Sequence, residues 1–205
     1  MVKGKKSIFS RKYLYLIAGF AAGGLLILLV RFVTYSPERV HYHANLAVYV
    51  NGQREQFKDA FYYEEVGSCT ADKTMTPNQR AHMHDNINGL VHVHDHAVTW
   101  NNFFENLGWE VNPLFVKAAD KLYLTDGQNK VSFILNGQAV DNVAGRVIGD
   151  RDRLLVDFGS TSSAGLQQEF AGVASTAARA DASKDPAACG GGATPTFNER
   201  LRHVL

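Results

Sequence analysis

The chain has 205 residues, 21 basic and 20 acidic, and a formal charge of +1. It carries no basic stripe and no aromatic–basic interleaving, which argues against nucleic-acid binding. The near-neutral total conceals an uneven distribution: positions 1–39 hold seven of the basic residues and one acid, so positions 40–205 keep fourteen against nineteen, a net of −5. Such a surface attracts cations and repels nucleic acid and anionic lipid headgroups, though mild acidity also serves solubility alone.

Residues 1–12 form a basic tail, with Lys3, Lys5, Lys6, Arg11 and Lys12 and no acid. Residues 13–33 read as a transmembrane anchor. The run 13–30 (YLYLIAGFAAGGLLILLV) is eighteen residues without a charge, and Arg31 follows. That suits one helix crossing about 30 Å of hydrocarbon, with Arg31 snorkelling at the far end. A cleaved signal peptide has a shorter apolar region and small residues at its cleavage site. Here bulky groups stand there, so an uncleaved anchor is expected. Basic residues crowd the N-terminal side, which places the N-terminus in the cytoplasm and the rest of the chain outside it.

Residues 42–50 (YHANLAVYV) alternate, with Ala44, Leu46, Val48 and Val50 on one face of a strand. Asn51-Gly52 is a strong hairpin signal, and 53–57 is the return strand. Residues 58–81 are polar and irregular. A second β region spans 89–95 (GLVHVHD), with Val91 and Val93 facing one way and His92, His94 and His96 the other. Thr99 is a suitable N-cap for a helix over 100–107, closed by Gly108. Trp100, Phe103, Phe104 and Leu107 fall at helical spacing and form a core stripe.

Further strands are expected at 121–125, 130–135 and 153–158, with turns at Asp126-Gly127 and Asn136-Gly137. Residues 40–158 thus read as an α+β ectodomain, mostly antiparallel β with one clear helix. It is preceded by one transmembrane helix and followed by an amphipathic C-terminal helix. Residues 159–205 supply that helix, over 166–180 with Leu166, Phe170, Val173 and Ala177 on one face. A Gly-rich loop over 181–196 and a short basic-apolar tail follow it.

Cys69 and Cys189 are an even pair in a chain segment expected outside the cytoplasm, where a disulfide is the first reading. A thiolate ligand from Cys69, or two free thiols, are the alternatives. No C-x-x-C pair supports a redox role.

Seven of the eight histidines lie between His41 and His96, in H-Y-H (His41, His43), H-M-H-D (His82, His84, Asp85) and H-V-H-D-H (His92, His94, His96). Strand residues two apart share a face and sit roughly 6.5–7 Å apart at Cα. Two imidazoles so placed can lean onto one ion, with zinc–nitrogen bonds of about 2.0–2.1 Å. The candidate ligands of a transition metal, zinc or copper, are therefore His41, His43, His82, His84, His92 and His94. His96 is the weakest candidate. Asp85 and Asp95 are acids that could orient an imidazole. Met75 and Met83 could offer thioethers to Cu(I).

The combination H-Y-H-A-N-L-A-V-Y-V-N-G, H-M-H-D-x-x-x-G-L-V-H-V-H, T-W-N-N-F-F-E-N-L-G-W and G-D-R-D-R-L-L-V-D-F-G resembles a family of uncharacterised, single-span, histidine-rich membrane proteins of bacteria and archaea. It covers roughly residues 40–160. Where that family often carries an acid, two positions after the last histidine, this sequence has His94. The resemblance implies the architecture and a metal site, and no reaction. Three functions are open from the sequence: an anchored module for metal capture, buffering or delivery; a metal-dependent hydrolase or copper or iron oxidase; and a metal-free histidine pH sensor.

Overall fold

Strand β1 organises the fold, because its alternation buries both of its faces. The computed structural model describes residues 11–36, 40–63, 76–83, 86–183 and 195–204. In chain order the elements are α1 (Arg11–Thr34), β1 (Tyr42–Val50), β2 (Gln53–Arg54), α2 (Pro77–Arg80), β3 (Ala81–His82), β4 (Leu90–Val93) and α3 (Trp100–Asn106). Then come β5 (Trp109–Asn112), β6 (Phe115–Ala118), β7 (Lys121–Leu124), β8 (Lys130–Leu135), β9 (Gln138–Val140), β10 (Arg153–Gly159), α4 (Ser163–Ala171), α5 (Ala177–Ala182) and α6 (Phe197–Val204). The chain divides into two compact units: residues 1–38 with 193–205, and residues 39–192. His84, Asp85, Cys69, Cys189 and Met75 lie outside the described residues, and the expected disulfide with them.

In the larger unit, a mixed sheet runs β3-β4-β1-β10-β8-β9, with β2 on the end of β1. The β1–β10 pair is parallel and the other pairs are antiparallel. One face of the sheet is the apolar core: Ala44, Leu46 and Val48 of β1, Val91 and Val93 of β4, and Leu154 and Val156 of β10. Helix α3 adds Trp100, Phe103, Phe104 and Leu107 to it. Thr99 accepts from Asn102 N–H as N-cap, and Gly108 follows at φ +70, so both ends of α3 match expectation. A second sheet, β5-β6-β7, contributes Trp109, Val111 and Val116 to the same core.

The expected turn at Asp126 is present: its carboxylate accepts from the backbone N–H groups of Gln128 and Asn129. It does not close a hairpin, however. β7 pairs with β6, while β8 pairs with β10 and β9, so this turn carries the chain from one sheet to the other. A local turn signal specifies the bend, not which strand edges meet.

The opposite face of the large sheet is mixed. Toward one end Ala47, Ile134 and Leu155 pack with Val173, Leu166 and Phe170. The stripe expected on one helix is thus used by two, α4 and then α5. The Arg153 guanidinium donates to the carbonyls of Phe170, Val173 and Ala174 in the segment joining them. Those bonds take the carbonyls that a continuous helix would need.

Asp157, fully buried on β10, faces Glu169 of α4. Burial raises the Glu169 carboxyl first, and the Asp157 charge and their hydrogen bond raise it further, to about 7. The Asp157 carboxyl is also raised by burial, partly offset by Thr161 and Glu169. The folded state therefore holds a proton that the unfolded chain releases above the ordinary value of 4.5. Stability from this pair is complete below that value and is lost as pH rises to about 7. Melting temperature should fall across that window in the native protein, and Glu169→Gln should flatten the fall and raise stability at pH 8.

Gly89 determines how β4 meets β1. Its φ is +75, its carbonyl accepts from Leu46 N–H at 2.8 Å, and a Cβ there would lie 2.2 Å from the Leu46 carbonyl oxygen. Gly89→Ala should cost about 2 kcal/mol or more in urea unfolding, through strain and collision. Gly145→Ala, where a Cβ meets nothing within 4 Å, should stay within about 0.5 kcal/mol.

Candidate metal centre

The site lies on the mixed face, at the β3–β4–β1 end of the sheet. Register does the placing. His43 pairs across from His92, and His82 pairs across from His92 on the other side. One row of three imidazoles therefore crosses three strands on one face. His41 and His94, each two residues from a member of that row, form a second row on the same face. Ring centroids are 4.3 Å apart for His43 and His92, 4.7 Å for His41 and His43, 4.8 Å for His41 and His94, and 5.0 Å for His82 and His94.

Within this cluster His41, His92 and His94 form the group that could hold a metal: one nitrogen from each lies within 4.8 Å of the others. Tetrahedral coordination at about 2.0–2.1 Å wants nitrogen separations of about 3.3 Å, so the rings need to draw in by at most about 0.9 Å each. His43, His82, His92 and His94 are all at most 5% exposed, and His41 is half-buried.

A chain of hydrogen bonds orients the rings. Asp181 of α5 accepts from His43 Nδ1 at 2.7 Å and from the His43 backbone N–H at 3.1 Å. Its other oxygen accepts from Arg151 Nε at 3.1 Å. Burial alone would raise the Asp181 carboxyl, but the bonds from His43 and Arg151 hold it below the usual carboxylate range. With Nδ1 carrying the proton, neutral His43 has its lone pair on Nε2, and His92 Nδ1 lies 2.9 Å from it. His92 then donates from Nδ1, which leaves the lone pair on Nε2, the form a ligand needs. His82 is oriented independently, with Nδ1 donating to the Asn78 carbonyl at 2.9 Å.

Helix α5 is held over this face by β1 itself. Asn45, two residues beyond His43, accepts from Ala177 N–H at 3.0 Å and donates to Thr176 Oγ1 at 2.9 Å. The same strand thus presents one histidine and fastens the helix whose carboxylate orients it.

The structure therefore sorts the sequence candidates. His41, His92 and His94 converge on one point. His43 and His82 flank them, each with a ring nitrogen already bonded, and His84 is outside the described residues. His96 is exposed. Asp95 does not face the rings; it accepts from Arg80 Nε at 2.7 Å and from the His96 backbone. Met83 is fully buried in the apolar core, its sulfur near Gly89 N–H, so it offers no thioether here. Asp181 was not legible as a partner: it lies 138 residues from His43 within an alanine-rich helix. No protein family, curated protein or solved structure matches this chain.

Long-range ¹H–¹⁵N correlation spectra should show both His43 and His92 as Nδ1–H tautomers. Asp181→Asn should scramble the His43 tautomer and weaken zinc binding by about 10–100-fold in a chelator competition, with every ligand still present.

Proposed function

We propose that this protein is a membrane-anchored, extracytoplasmic module that binds zinc or copper for capture, buffering or delivery. The observation that carries the reading is the convergence of His41, His92 and His94 within 4.8 Å of one another. Three imidazoles suit zinc, copper and nickel. The net charge of −5 on residues 40–205 favours cation approach. The span Tyr13–Thr34 is long and apolar enough to cross a bilayer, and its basic N-terminal flank supports a cytoplasmic N-terminus.

A second reading draws on the ligand count. Catalytic zinc sites keep three protein ligands and an open position for water. Three converging histidines fit a metal-dependent hydrolase or oxidase as well as a carrier. A cobalt-substituted protein whose spectrum shifts with added azide would favour the enzyme; a spectrum insensitive to small anions would favour the carrier.

Purified full-length protein in detergent should bind about one zinc or copper ion per chain at submicromolar affinity. His92→Ala with His94→Ala should abolish binding, because removing two of the three converging ligands leaves an incomplete shell. Elemental analysis and calorimetry on metal-stripped protein provide the measurement, and affinity no better than millimolar would sink the reading.

A further inference from the structure

The smaller unit holds a feature that metal binding does not use. Helix α6 packs on the last turn of α1. Arg200 Nη1 donates to the Phe32 and Val33 carbonyls, at 2.7 Å each. Arg31 Nη2 donates to the His203 carbonyl at 2.9 Å. Phe197 meets Phe32 edge-on with centroids 5.4 Å apart, and His203 stacks on Tyr35 at 4.3 Å. The last carbonyls of a helix have no intrahelical donor, so Arg200 caps α1.

We propose that α6 lies flat in the headgroup layer where α1 leaves the membrane and binds anionic phospholipid there. Charge complementarity and continuity with the α1 contact argue for this occupant. The 22 residues Tyr13–Thr34 rise about 33 Å as a helix, against about 30 Å of hydrocarbon. Phe32, Val33 and Thr34 therefore reach the headgroup boundary, and α6 with them. Eight residues make a marginal helix alone, so α6 needs surfaces on which to fold. Phe197 and Leu201, one turn apart, remain 67% and 39% exposed beside α1. They form an apolar edge that acyl chains would cover.

The charges agree. Glu199, the acid of α6, is turned to the helix start, accepting from Thr196 N–H at 2.7 Å and Thr196 Oγ1 at 3.0 Å. Arg202 and His203 are exposed, and Arg31 and Arg200 lie beside them. This cationic rim with an aromatic and leucine edge is the chemistry of an interfacial helix on anionic lipid.

The inference rests on α1 being inserted, so insertion is tested separately, by resistance of the full chain in native membranes to alkaline carbonate. The full chain is then placed in nanodiscs of phosphatidylcholine alone or with phosphatidylglycerol, and hydrogen exchange is followed at residues 197–204. Exchange there should be about tenfold slower on the anionic discs, and the difference should shrink at high salt. Arg202→Gln, which leaves the α1–α6 contacts intact, should reduce the lipid dependence about fivefold. Carbonate release overturns the anchor and this proposal together. Retention with the same exchange on both lipids, or with Arg202→Gln unchanged from the native chain, overturns this proposal alone.

Discussion

The bond from His43 to Asp181 is the contact on which the site face depends. It joins β1 to α5 and, through the His43–His92 contact, orients two buried imidazoles. A carboxylate this poorly exposed is tolerable only with donors around it, and Asp181 has the His43 ring, the His43 backbone and Arg151, with a further side-chain bond from Asp150. A charged hydrogen bond of this kind contributes about 1.5–3 kcal/mol, and stranding the carboxylate would cost comparably. Stability and site orientation therefore share one interaction.

That arrangement is possible because the sheet keeps its two faces for different tasks. Ala44, Leu46, Val48, Val91 and Val93 place the cohesive apolar burial on one side. The residues between them, His43, Asn45 and His92, are thereby forced onto the other. Five imidazoles can crowd together there without competing with the core for space. Ring nitrogens of His43, His82 and His92 are matched to Asp181, the Asn78 carbonyl and one another. Burial of those polar groups is offset by these bonds.

The cover over that face is assembled from three sheet residues of different chemistry. Asn45 caps the start of α5, Arg153 gathers the carbonyls of the α4–α5 connection, and Asp157 meets Glu169 on α4. Two helices that would otherwise be one are thus bent over the sheet, and the second presents Asp181.

The N-terminal apolar run, the α3 helix with both of its ends, the β1 alternation and the two-spaced histidines were all legible in the sequence. Each depends on neighbours within a few residues: helix caps, period-2 patterning and uninterrupted hydrophobicity act locally. Strands β5 and β6 were missed, since WEVN and FVKA are short and adjoin the helix end. The turn at Asp126 was legible but the strand partners on either side of it were not, because strand partners are chosen by the whole sheet. Of the site, the sequence by itself determined six candidates spaced two apart, His41, His43, His82, His84, His92 and His94, as residues suited to share a metal. Only the tertiary structure decided that those three converge, that Asp95 turns to Arg80, and that Asp181 orients His43. The physical reason is separation: those choices depend on strand register and on a helix 138 residues away, and no local spacing encodes either.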